Sequence, residues 1–282
     1  MIHTVFSVDG SHYQRWQADL LAYSHQRVGQ SGSLTRLWSG DGRPSAFSGT
    51  TFRAAPYSPH PVSGDDYVPY NKPSALIAWL RAAPPVDDTV LLVDPDCVFV
   101  APLTIEASRG NPIAQPLSYM LPDATVVARH CRRPSLVRGV GIPIVIHRDD
   151  LSALAGLWLE KTESIRDDPQ SRELVGWVAE MWGYAFAAAE LGLRHEMRAL
   201  ARFTTENCAD LPLIHYCYAS TDADGTWTWD KRSYRPWQRV DDPPPSTPSA
   251  AAALVAMVNE YAATRAYRTV RAPRARRRPR GC

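Results

Sequence analysis

Thr89-Val90-Leu91-Leu92-Val93-Asp94-Pro95-Asp96-Cys97-Val98-Phe99-Val100 is the stretch on which the reading of the chain turns. Thr89 to Val93 is uncharged and rich in β-branched residues, the pattern of a strand buried on both faces. It stops at Asp94-Pro95-Asp96, and the apolar pattern resumes from Cys97 to Val100. In open α/β sheets, ligands gather beyond the carboxyl ends of strands. Two carboxylates one residue apart in a tight turn can face a single hard cation such as Mg²⁺ or Mn²⁺. Such a cation bridges a diphosphate and neutralises a nucleotide leaving group. The bare tripeptide also fits a solvated turn, or a turn in which Asp96 caps the next element. The strand in front of it favours the ion.

The elements on either side predict a parallel sheet. Ile2–Val8 is a short apolar run closed by Asp9-Gly10, and Ser11 is placed to cap the helix that follows to about Gly29. Leu34–Trp38 reads as the next strand, which makes a β-α-β opening. Residues 41–70 are rich in Gly, Pro and Ser and read as one long surface loop. A helix is predicted over Pro73–Ala82, a buried strand over Ile142–Ile146, and a helix after it capped by Asp149 or Asp150. A second strong helix is predicted over Leu174–Leu191, then a strand over Leu211–Tyr218. Beyond Pro243-Pro244-Pro245 a last helix is predicted over Ser249–Ala263.

Composition narrows the class. The 282 residues are 45% hydrophobic and 21% charged, which is ordinary for a globular protein, and the net charge is only +2. One domain over 1–264 and a disordered Arg/Pro-rich tail over 265–282 are expected, since that tail has arginines and no acid. Five cysteines at irregular spacing, with no C-x-x-C, argue against a disulfide framework and against structural zinc. The opening residues lack a signal-peptide pattern and no apolar run is long enough to span a membrane, so a cytoplasmic location is expected. No P-loop, G-x-S-x-G, H-E-x-x-H or G-x-G-x-x-G is present.

Five further positions carry candidate chemistry, each beside a plainer alternative. His215, on an apolar strand late in the chain, is a third metal ligand or a satisfied core histidine. Lys231 and Arg232 clamp a diphosphate or form a surface pair. Lys72, directly before a helix with Asn71, lies near a phosphate or is solvated. Glu180, on a largely apolar helix, faces a pocket, pairs with an arginine or points to solvent.

Taken in order, several short motifs resemble the plant hydroxyproline O-arabinosyltransferases and the related peptidyl serine α-galactosyltransferases. They are Tyr13–Trp16 with Gln17, Thr35-Arg36-Leu37 with Ser39-Gly40, Asn71-Lys72-Pro73 with Ala78-Trp79-Leu80, and Pro95-Asp96 with Val98-Phe99-Val100. Gly141–Ile146, Gly176-Trp177-Val178 with Glu180-Met181, Ile214-His215-Tyr216, Trp227 with Asp230–Tyr234, and Met257–Glu260 continue the series. The resemblance covers residues 3–260. It implies a GT-A fold, Rossmann-like with a mixed, mainly parallel central sheet, a UDP-sugar donor, a divalent metal (usually Mn²⁺, or Mg²⁺) and retention of anomeric configuration. It maps the metal onto Asp94, Asp96 and His215, where the plant enzymes carry Glu in place of the first acid. It puts donor contacts at Phe6, Ser7, Asn71, Lys72, Asp94 and Lys231. It makes Glu180 the carboxylate near the reacting sugar, with Asp96 the second catalytic residue.

The Arg-for-Lys bias suggests a GC-rich bacterial or phage genome. The basic tail then admits a hydroxymethylated pyrimidine in DNA as acceptor beside a protein hydroxyl, or is merely solubilising. A non-catalytic nucleic-acid- or carbohydrate-binding module that keeps the fold is the alternative of another class.

Overall fold

A computed structural model describes residues 1–120, 124–207 and 210–271, with the backbone alone for 265–271. The opening is the expected β-α-β unit: β1 (Ile2–Val8), α1 (His12–Arg27) and β2 (Leu34–Trp38). The Ser11 side chain caps α1 by accepting from the Gln14 backbone N–H. β1 is parallel to β2 on one side and to β4 (Thr89–Leu92) on the other. Where β1 and β2 end, a Cβ on Gly40 would lie 2.4 Å from the Asp9 carbonyl oxygen. Only glycine lets the two turns approach this closely.

The segment expected to be one long loop holds an edge strand, β3 (Thr50–Arg53), parallel to β2. It escaped the reading because an edge strand of half-exposed polar residues has no apolar run. A 3₁₀ turn at Val68–Tyr70 then leads into α2 (Asn71–Ala82). After β4 come β5 (Cys97–Phe99), β6 (Ile113–Pro116), α3 (Ala124–His130) and β7 (Val140–His147). α4 (Arg148–Asp167) is capped by the His147 ring, which accepts from the Asp149 N–H; Asp149 and Asp150 lie inside its first turn and are not the cap.

The long helix expected over Leu174–Leu191 is interrupted. α5 (Pro169–Val175) ends at Gly176, whose φ of +52° is left-handed, and α6 (Ala179–Glu190) starts after one 3₁₀ turn. The break leaves Leu174 and Trp177 exposed and starts a fresh helix just ahead of Glu180. Five short strands follow: β8 (Glu196–Met197), β9 (Ala201–Phe203), β10 (Leu213–His215) and the hairpin partners β11 (Ser220–Thr221) and β12 (Thr228–Trp229). α7 (Ser249–Arg271) runs past the predicted end at Ala263, and the arginines beyond 271 lie outside the described residues.

The large sheet has the order β3-β2-β1-β4-β7-β6-β8. It is parallel from β3 to β4, β7 is antiparallel to β4 and β6, and β8 is parallel to β6. This is the mixed, mainly parallel sheet expected. A second sheet, β5-β10-β9, lies under α1 and α7, packed around Trp16, Tyr216 and Leu254. Arg27 and Tyr23 of α1 hold Glu260 of α7. Among the described residues, no helix is long and apolar enough to cross a membrane.

Two predictions arise here. α4 and α6 touch at Gly183, where a Cβ would meet Thr162 Oγ1 at 2.1 Å. Gly183→Ala is expected to cost about 1–3 kcal/mol through overpacking. Chemical denaturation of that variant, with Thr162→Ala added to recover part of the loss, checks it. His25 and His195 are held down to about 4, both first by burial. A free histidine titrates at about 6.5. Between those values the unfolded chain binds protons that the fold refuses, so stability falls as pH drops through that window. Urea midpoints at pH 7 and pH 5 are expected to differ in that sense, and less so in His25→Phe.

Candidate functional site

The acidic turn is where the chain changes sheets. β4 ends at Leu92, Val93 still donates its N–H to the Val5 carbonyl at 3.1 Å, and the Cys97 N–H closes the turn on the Asp94 carbonyl at 3.1 Å. From Cys97 the chain pairs with β10 instead, antiparallel, with His215 opposite Cys97. The Tyr216 N–H extends that ladder to the Asp96 carbonyl at 2.9 Å. These backbone bonds, not the side chains, bring His215 to the turn.

Asp96 is buried, and its Oδ1 lies 3.3 Å from His215 Nε2. Its Oδ2 accepts from the Lys231 ammonium. Burial alone would raise the Asp96 pKa, but His215 and Lys231 outweigh it and hold the carboxylate charged, well below its ordinary range. Burial likewise lowers the imidazole, and Asp96 more than offsets this, so His215 titrates above its usual value. Lys231 also faces the rings of Tyr13 and Tyr216 at 5.8 and 5.9 Å. Its neighbour Arg232 turns away and pairs with Asp230 at the surface, 2.6 Å apart. Of the two expected phosphate clamps, only Lys231 reaches the site.

Asp94 faces the other way. Lys72 Nζ is 2.8 Å from Asp94 Oδ1 and 3.3 Å from Glu180 Oε2. Lys72 lies in the first turn of α2, where the helix dipole disfavours a cation. Burial opposes its charge too, and Asp94 and Glu180 reverse both effects and hold the ammonium above its ordinary value. Glu180 is 5% exposed, and burial pushes its pKa up. The hydroxyl of Tyr67 fixes it: Tyr67 donates to the Trp177 carbonyl at 2.6 Å and accepts from the Glu180 N–H at 2.9 Å.

Among the described residues, ligand-type atoms of Asp96, Cys97 and His215 lie within 4.8 Å of one another. Cys97 was not foreseen as part of this group. Burial keeps its thiol protonated, and a soft sulfur suits neither Mg²⁺ nor Mn²⁺. The carboxylate oxygen and imidazole nitrogen do suit such an ion, and His215 Nδ1 has no hydrogen-bond partner among the described residues. Asp94, at the far end of the same turn, is engaged by Lys72. Asp96 and His215 are therefore the pair best placed to hold a divalent cation.

The remaining expected contacts are spread more widely. Phe6 and Ser7 meet Lys72 and Val93 around a cavity of about 10 Å³, which is the size of a water and too small for a nucleotide. The Asn71 side-chain oxygen is engaged by the backbone, accepting from the Tyr57 and Ser58 N–H groups at 2.6 and 3.2 Å. A larger cleft of about 750 Å³ opens between the 115–120 segment and Phe203, Glu206 and Tyr218. Phe203 joins it to the charged cluster, its ring 5.9 Å from that of His215. Tyr67 and the cleft were both missed, since nothing in a single tyrosine or a loop announces them.

Residues 2–197 match the domain described as the hydroxyproline O-arabinosyltransferase family N-terminal domain. The chain belongs to the hydroxyproline O-arabinosyltransferase family. It is a glycosyltransferase, as expected from the sequence. This family member is 37% identical over 215 residues to the peptidyl serine alpha-galactosyltransferase of Arabidopsis thaliana, covering 70% of this chain. It spans only 27% of the length of that relative. It is 31% identical over 292 residues to hydroxyproline O-arabinosyltransferase 3 of the same plant, covering 93% of this chain and 80% of the other. Among solved structures, galactosyltransferase LgtC in complex with donor and acceptor sugar analogs superposes with a TM-score of 0.54 at 10% identity, over 93% and 95% of the two chains. At that identity the match shows the glycosyltransferase fold of this family member. The domain match ends before His215 and Lys231.

Lys72 is predicted to be a structural counter-charge as well as a site residue. Lys72→Met leaves Glu180 buried without its cation and is expected to cost about 3–5 kcal/mol. Adding Glu180→Gln is expected to return much of this, as read by thermal or urea unfolding of both variants.

Proposed function

We propose that this glycosyltransferase moves a sugar from a UDP-sugar to a hydroxyl on a peptide, of the hydroxyproline or serine type, with retention of configuration and with Mn²⁺ or Mg²⁺ bound at Asp96 and His215. The observation that carries it is the convergence on one turn of a buried carboxylate, an imidazole and two lysines from four separate elements. Relatives named for arabinosyl and galactosyl transfer to hydroxyproline and serine support the acceptor class.

A divalent ion there supplies Lewis-acid stabilisation of the departing diphosphate. Lys231 and Lys72 stand on either side of the turn and add fixed positive charge where negative charge develops. The bond from the sugar's anomeric carbon to the phosphate oxygen breaks. The acceptor oxygen bonds to the same face, and its proton passes to the leaving phosphate. Glu180, held by Tyr67 and Lys72, lies beside Asp94 and is assigned to the hydroxyls of the transferred sugar. The ion pairs keep Asp96 and Lys231 charged before any ligand arrives, so little reorganisation is needed at the moment of reaction.

Purified protein is expected to release UDP from one of a panel of UDP-sugars in the presence of Mn²⁺, faster with a hydroxyproline or serine peptide. EDTA is expected to stop it. Asp96→Asn is expected to lower turnover by about 10²–10³-fold, the scale of losing one key electrostatic group. Turnover that survives both EDTA and Asp96→Asn would refute the metal assignment. Absence of turnover with every donor would favour a binding module, and label found on hydroxymethylated DNA in place of peptide would move the acceptor.

A further inference from the structure

The 750 Å³ cleft has the size of a ligand pocket and adjoins the charged cluster through Phe203. Its floor is apolar, with Leu117, Met120 and Val137 all buried. Its rims hold two tyrosines left open to solvent, Tyr119 at 51% and Tyr218 at 42% exposure. Phe203 stands between the cleft and the cation ligands, its ring 5.3 Å from Tyr218. Tyr119 is close enough to Asp94 and Lys72 to feel both charges. The cleft thus leads an occupant to the charged cluster.

Three observations narrow the occupant. Arg138 and Glu206 both line the cleft, so its described walls carry charge of both signs and not the run of basic residues that a polyanion such as nucleic acid needs. At Ile113 and Ala114 β6 is closed to an added strand, since β8 pairs there on one side and β7 on the other. The Gln115 side-chain oxygen is likewise spent, accepting from Leu200 and Ala201 at 2.7 and 3.1 Å. A ligand here is recognised by ring packing more than by backbone hydrogen bonds. An extended chain of imino acids meets that condition, since polyproline-type helices have no internal hydrogen bonds and dock in aromatic-lined grooves.

We infer that this cleft binds the acceptor as an extended, polyproline-type peptide, clasped between Tyr119 and Tyr218, with its target hydroxyl carried past Tyr119 to the Asp94–Lys72 end. The inference rests on the peptide-acceptor reading above and adds to it the surface and the conformation.

The test is calorimetric titration of a short proline-rich peptide with one central hydroxyproline into the UDP- and Mn²⁺-loaded protein. Wild type is compared with Tyr119→Ala and Tyr218→Ala, and with a peptide whose flanking prolines are Gly and Ser. Each variant is expected to bind the proline-rich peptide about tenfold more weakly, the loss typical of an aromatic anchor. UDP affinity and melting temperature are expected to stay at wild-type values. The Gly/Ser peptide is expected to bind weakly and to be indifferent to both substitutions. Equal binding of the two peptides by wild type, unaltered binding in both variants, or displacement of the peptide by a hydroxymethylated oligonucleotide would overturn the inference. Tyrosine-dependent peptide binding without sugar transfer from any donor would leave the cleft standing and sink the transferase reading. Transfer whose peptide KM is the same in all three proteins would do the reverse.

Discussion

The register of β10 against β5 is the constraint on which the rest of the site depends. The chain leaves the large sheet at Asp94 and enters the small one at Cys97, so the acidic turn is the joint between two sheets. Pairing His215 with Cys97 aims the imidazole at Asp96. A slip of one residue would send His215 to the opposite face of its strand and remove it from the carboxylate. α1 and α7 pack on this small sheet around Trp16, Val98 and Ile214, and their burial is what fixes that register.

Around the joint, charge is arranged so that removal of any member exposes another. Asp94, Asp96 and Glu180 face Lys72 and Lys231, so with a neutral imidazole the group carries two positive charges against three negative, a sum of −1. Buried ions survive only when paired and hydrogen-bonded. Each lysine here serves an acid that burial alone would neutralise. The one-charge deficit leaves the cluster net negative, and Lys231 shares the Asp96 carboxylate with His215. Lys161, the remaining lysine of the chain, spends its charge on the His130 carbonyl and Glu190, in a purely structural tie.

Much of this was legible in the sequence where burial leaves a continuous signal. β1, β2, β4 and β7 are buried on both faces and read as apolar runs. The acidic turn stood out because it ends the β4 run, His215 and Glu180 as titratable residues on apolar elements, Lys72 by its place before a helix, and Lys231 by the Asp230–Tyr234 motif. β3 was missed because its side chains are half solvated. The break at Gly176 was hidden because hydrophobic spacing continues across it while the backbone does not. Asn71 was expected beside the donor from a resemblance, yet its amide holds the 57–58 backbone, a use that depends on where a distant loop returns. Pairwise placement, such as Lys72 between two acids or Tyr67 beneath Glu180, belongs to tertiary structure and leaves no mark on spacing.

The late position of α7 has a consequence for how the protein is made. As the ribosome extrudes the chain, Lys72, Asp94, Asp96 and Glu180 emerge with β1 to β7 before β10 and α7 are available. During that interval β5 has no partner strand, and its Val98 lacks the helical cover it later receives. An unpaired strand edge beside uncovered apolar surface is the kind of feature that chaperones bind and that aggregates on its own. Asp96 therefore waits for His215 and Lys231, and the site is complete only when the last helix is free to fold back.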